Sequence, residues 1–166
     1  VAPADSITFC LSKGLSSPIG SIICGNEEFI YYARRIRKAL GGGMRQAGVL
    51  AASGIISLDT MITQIEHDHQ NAQLLAEGIE KINGFEIDRQ NINTNIIYFD
   101  IKSDENRNTK ISSKDENTEL YPMEIVIDNI HFFETSHNRF RLVTHYGISR
   151  EDIDLALGSL AKMICQ

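Results

Sequence analysis

Lys13 has the plainest chemical potential in this sequence: it ends the run Ser6-Ile7-Thr8-Phe9-Cys10-Leu11-Ser12 and is followed at once by Gly14. An apolar run with β-branched and aromatic residues predicts a strand, and a strand end is a rigid place from which to present a side chain. Gly14 lets the backbone turn without crowding whatever sits above the lysine. An amine held there and desolvated is favoured in its neutral, nucleophilic form, the form that makes a Schiff base with a carbonyl compound. The competing reading is a solvated lysine capping a strand, the commoner fate of a lysine in such a place.

A second concentration of chemistry follows. Arg34, Arg35, Arg37 and Lys38 precede Gly41-Gly42-Gly43, and Arg45 comes just after. A glycine-rich entry into a helix exposes backbone N–H groups that can hold an anion. The small residues from Ala47 to Gly54 also suit a tightly packed core helix or a subunit interface. His67 and His69 flank Asp68. Residues two apart on a helix do not share a face, so a polar helix surface is expected there and no metal site.

The totals bound these readings. The chain has 166 residues, 42% hydrophobic and 23% charged, which suffices for one domain with a real core, or a modest domain plus part of another. A formal net charge of −6 argues against nucleic acid as a partner, despite the local basic patch. Cys10, Cys24 and Cys165 form no CxxC pair, so a reducing, cytoplasmic setting is expected. No apolar run approaches the roughly 18 residues of a membrane span, and no signal peptide is visible, so no membrane partner is expected. The chain opens on Val1-Ala2-Pro3 without methionine, as a processed, truncated or trimmed product would.

The elements that must position these groups are legible in outline. Residues 6–13 and 19–24 read as an antiparallel strand pair around a Gly/Ser loop. Asn26 is a good N-cap for a helix to about Leu40, with Phe29, Ile30, Ala33, Ile36 and Leu40 on its buried side. A small-residue helix opens at Met44. A longer amphipathic one follows over 59–82, with Ile62, Ile65, Leu74, Leu75 and Ile79 on its stripe. Strands are expected at 85–87, 95–101, 131–134 and 139–144, with a mobile polar loop over 102–119 and a short helix favoured over 120–128. Ser149 caps a last helix that carries Leu155, Leu157, Leu160 and Ile164 on its apolar side. A boundary is expected near 58–65.

Three segments, FCLSKGLSSPIGSIICG at 9–25, RRIRKALGGGMRQAGVLAASGI at 34–55 and RLVTHYGIS at 141–149, together resemble the C-terminal half of low-specificity threonine aldolases, fold-type I pyridoxal-phosphate enzymes. The resemblance covers nearly the whole chain except 102–119 and the divergent stretch to about residue 138. It implies an α/β fold: residues 1–60 as the C-terminal part of a cofactor-binding large domain, and 61–166 as a small α+β domain. It also implies roles. Lys13 would carry the cofactor pyridoxal 5'-phosphate as an aldimine. Arg45 would approach the cofactor phosphate of a neighbouring subunit, with Lys38 beside that site. Arg141 would take the α-carboxylate of a β-hydroxy amino acid, threonine or allo-threonine, to be cleaved to glycine and acetaldehyde.

The same resemblance places much of the large domain ahead of the lysine, including the carboxylate for the pyridine nitrogen and the ring stacked on the cofactor. The implied partners are further copies of the chain, as a dimer or tetramer, or that upstream half. The alternative is a non-enzymatic oligomerisation or interaction module built on the 43–54 helix and the open sheet edge.

Overall fold

A computed structural model of the protein describes residues 3–102 and 124–165, in two compact units, residues 1–65 and 66–166. Most of the polar stretch 102–119, and residues 120–123, lie outside the described residues.

In the first unit, β1 (Ser6–Cys10) pairs antiparallel with β2 (Ser21–Gly25), Ser6 facing Gly25 and Cys10 facing Ser21. The strand ends three residues short of Lys13. Helix α1 (Glu27–Ala39) starts at Asn26, whose Oδ1 accepts from the Phe29 N–H at 2.8 Å, with Glu27 and Glu28 against the positive end of the dipole. None of its residues is buried: Ile36 is 58% exposed and the C-cap Leu40 83%, with only Ile30 and Ala33 of the expected stripe partly covered. The two-stranded ribbon gives α1 too little surface to pack on. An open groove of about 760 Å³ runs between β2 and this stripe, lined by Ile22, Ile23, Phe29, Tyr32, Ile36 and Leu40 among others.

Helix α2 (Gly48–Thr60) begins four residues later than expected, because Gln46 adopts a left-handed backbone (φ 51°) that no helix can propagate through. Only Gly54 and Ser57 of α2 are buried, leaving Val49, Ile55 and Ile56 exposed.

The second unit closes a core of its own. Strands β3 (Phe85–Glu86), β4 (Ile96–Ile101), β5 (Glu124–Ile127), β6 (Ile130–Ser136) and β7 (Arg139–Val143) form an antiparallel sheet in the order β3-β4-β7-β6-β5. Residues 124–127 are thus a strand where a helix was favoured; Ile125 and Ile127 alternate with exposed Glu124 and Val126, a period of two. Helices α3 (Ile62–Glu80) and α4 (Arg150–Cys165) cover one sheet face. Ala72, Leu75, Ala76 and Ile79 from α3 meet Ile153, Leu160 and Met163 from α4 around Phe85, Phe99 and Phe140. Phe99 anchors this core, edge-on to Phe85 (5.0 Å) and stacked on Phe140 (5.4 Å). Ile62 and Leu155, expected on the apolar stripes, are exposed; Ile153 and Met163 take the buried positions on α4. Asp68 is buried while His67 is exposed, so the expected polar face is not uniformly solvated.

Two polar devices fix the sheet to its helices. Thr144 donates from its buried hydroxyl to the Asp68 carbonyl of α3 at 2.6 Å, and exchanges bonds with Asn95. At the β5–β6 turn, left-handed Asp128 (φ 51°) accepts from Lys162 Nζ (2.6 Å) and Ser159 Oγ (2.9 Å) of α4. Ser149 and Asp152 cap α4 reciprocally. Between β6 and β7 the pairing is irregular, a shift between Glu134 and Ser136, whereas β4 and β7 pair without interruption from Ile96–Val143 to Asp100–Arg139.

The Lys162 contact, and then that of Ser159, hold the Asp128 carboxyl below its ordinary value of 3.8. A carboxyl depressed in the folded state stabilises it above the unfolded value, and that contribution is lost as pH falls through the folded value. An asparagine tolerates the left-handed turn as an aspartate does, so D128N isolates the charge. The urea midpoint of D128N should lie below wild type at neutral pH, with the gap closing as pH falls below 3.8; a gap that persists in acid would refute the charge explanation.

Candidate functional site

Lys13 stands in a loop locked at both ends. The Leu11 N–H donates to Gly20 O (2.9 Å) and the Ser17 N–H to Leu11 O (3.0 Å), while the Ser16 N–H turns back to Lys13 O (2.8 Å). The left-handed residue of this turn is Ser16 (φ 56°) and not Gly14; a Cβ on Gly14 would sit at ordinary contact distance, 3.6 Å, from Ile65. Leu11 and Leu15 are buried and Lys13 between them is exposed, so the described residues do not desolvate the amine.

The lock reaches α2. A Cβ on Gly54 would fall 3.0 Å from Leu11 Cδ1, and Ser17 Oγ lies 3.2 Å from Ser53 Oγ, which donates to Leu50 O at 2.7 Å. Here the small-residue run finds its use: Gly54 leaves the notch that Leu11 fills. Leu11, Ser17, Ser53 and Gly54 hold the loop in place; the sequence signalled Ser53 and Gly54 as members of a small-residue run without revealing their partners, Leu11 and Ser17.

Arg45 is exposed in the turn of residues 44–47 ahead of α2, not within a helix. Lys38, on the last turn of α1, lays its stem across Gly43, where a Cβ would come 2.7 Å from Lys38 Cδ. Arg141 lies on β7 in the second unit, on the sheet face turned away from the helices, directly across from Tyr98. None of Lys13, Lys38, Arg45 and Arg141 has an ion-pair partner among the described residues. Three expected residues therefore belong to the first unit and Arg141 to the second. Among the described residues no cluster of three or more His, Cys, Asp or Glu could hold a metal ion, and no single helix is long and apolar enough to cross a membrane.

Residues 1–102 match the family model described as beta-eliminating lyase. The chain belongs to this family. It is 37% identical to low-specificity L-threonine aldolase 1 of Arabidopsis thaliana over 157 residues, 95% of this chain and 41% of that protein. It is also 37% identical to the low specificity L-threonine aldolase of Escherichia coli K12 over 149 residues, 90% of this chain and 40% of that one. The chain thus spans about two fifths of the length of these curated relatives. Among solved structures it superposes on a protein of Listeria monocytogenes provisionally named an L-allo-threonine aldolase, with a TM-score of 0.67 at 16% identity, covering 98% of this chain and 45% of that one. An archaeal O-phosphoseryl-tRNA(Sec) selenium transferase gives 0.55 at 18% identity, covering 95% and 38%. The fold is α/β, with the fold-type I architecture of these structures: part of its large domain, followed by a small α+β domain.

Since Leu11 seats in the notch at Gly54, G54L should expel it and loosen the loop. Limited trypsin digestion should then cut after Lys13 about tenfold faster than in wild type, about 1.4 kcal/mol of easier local opening. Unchanged cleavage at Lys13 would show that the notch does not hold the loop.

Proposed function

We propose that this chain carries the lysine-bearing part of a pyridoxal-phosphate-dependent carbon–carbon lyase of the threonine aldolase type. The observation that carries the reading is the locked loop. Lys13 stands exposed and without an ion-pair partner on a segment pinned to α2, within the region that matches the beta-eliminating lyase model.

The donor set suits the cofactor. Lys13 offers a primary amine to an aldehyde, and Arg45, beside backbone N–H groups of the glycine-rich link, offers a guanidinium to a phosphate. When bound, pyridoxal phosphate supplies the electron sink for the pair released when a bond at the substrate Cα breaks. Lys13 would hold the cofactor through its Nζ. Arg141 grips the substrate α-carboxylate with two parallel N–H donors, fixing which bond at Cα is presented for cleavage. Lys38 adds positive charge near the phosphate. The substrate class is a β-hydroxy amino acid, threonine or allo-threonine, giving glycine and acetaldehyde. A working site needs further polypeptide, another copy of this chain or the remainder of a large domain, because Lys13 is open to water here.

With pyridoxal phosphate and borohydride, the chain should acquire a covalent adduct on Lys13, located by peptide mass and absent in K13A. Loss of a charge-assisted phosphate contact should weaken cofactor binding about tenfold in R45A. The chain alone should release little or no acetaldehyde from threonine. An adduct spread over the surface lysines, or rapid cleavage by the chain alone, would contradict this reading.

A second reading is favoured by the mostly uncovered apolar stripe of α1 and by exposed Val49, Ile55 and Ile56 of α2: an association module without catalysis. It expects concentration-dependent self-association by light scattering. A strictly monomeric chain would count against it.

A further inference from the structure

On the open face of the five-stranded sheet β7 presents two guanidinium groups, Arg139 and Arg141. They are two residues apart and so about 7 Å apart along the strand. Their surroundings differ. Arg139 is engaged twice: its Nε lies 3.8 Å from Oδ1 of its cross-strand neighbour Asp100, and its Cζ lies 5.3 Å from the Tyr98 ring centroid. Glu86 stands next in the same row, across from Asp100, and adds negative charge on that side. Arg141 faces Tyr98 and has no ion-pair partner among the described residues.

We propose that Asp100 is a specificity-determining residue: it keeps Arg139 occupied, so that Arg141 alone is free to take a carboxylate, and the site favours amino acids with a single carboxylate. The inference rests on the reading of Arg141 as the carboxylate-binding residue. A second carboxylate on the substrate would reach a guanidinium one pleat away, and the gain would be a second charge-assisted contact. Asp100 removes that gain in two ways. It forms a 3.8 Å ion pair with Arg139, and its own charge repels an incoming carboxylate. Tyr98 assists by holding the planar Arg139 group over its ring. Arg139 and Asp100 are both about half-exposed, so water and salt weaken each contribution and the discrimination is a matter of a few-fold.

The probes are acetate and succinate, titrated into the whole chain at matched ionic strength while NMR follows the arginine Nε–Hε signals. In wild type, succinate should bind little better than acetate, moving Arg141 and leaving Arg139 still. In D100N, the succinate-to-acetate affinity ratio should rise about threefold or more, with Arg139 and Arg141 shifting together. The double variant D100N/R139Q should return the ratio to that of wild type, a result that a general loosening of the sheet would not give. A D100N ratio equal to wild type overturns the role of Asp100. R141Q that binds acetate as well as wild type instead overturns the assignment of Arg141, a separate failure with its own signature.

Discussion

A two-stranded ribbon cannot bury two helices, and this constraint governs the first unit. Strands β1 and β2 offer one narrow face to α1, and among the described residues no further strand pairs with either edge. The stripe of α1 is consequently mostly uncovered, and α2, apolar on nearly every side, buries little of itself. A helix of that composition is normally enclosed. What holds Lys13 in place is therefore local: a leucine in a glycine notch, one pair of serine hydroxyls, and the backbone bonds that close the loop. The second unit faces no such shortage. Five strands and two helices enclose Phe85, Phe99 and Phe140 among aliphatic neighbours.

Local patterns were legible from the sequence where local physics decides them. Asn26 and Ser149 fall where capping chemistry puts them, since each needs only residues within a few positions. The apolar face of α1 was equally legible as a pattern. Its burial was not, because amphipathicity says which side wants a partner and not whether one is there. The start of α2 was misplaced for a different reason: the left-handed turn falls on Gln46, a residue type that gives no warning of it. Strand β5 was obscured by its short length of four residues.

For the candidate site, the motif positions of Lys13, Lys38, Arg45 and Arg141 came from resemblance, and their exposure came from the fold. Spacing alone could not distinguish an anchoring lysine from a surface one, since both follow strands. The supporting residues were harder still. Ser53 and Gly54 are ordinary members of a small-residue run until Leu11 and Ser17 are seen against them. Thr144 reads as a strand-end threonine until its hydroxyl is found on the Asp68 carbonyl, a contact 76 residues away in sequence.

The irregular pairing of β6 with β7 has a bearing on how such a chain can change over generations. A one-residue slip would turn every side chain of β7 to the opposite face. The facing of Arg141 is dictated by five uninterrupted pairs with β4, while the β6 side already absorbs an offset between Glu134 and Ser136. The hairpin at 137–138 can therefore gain or lose a residue with the disturbance taken up on β6. Descendants are free to vary the length of that hairpin while the guanidinium keeps its outlook.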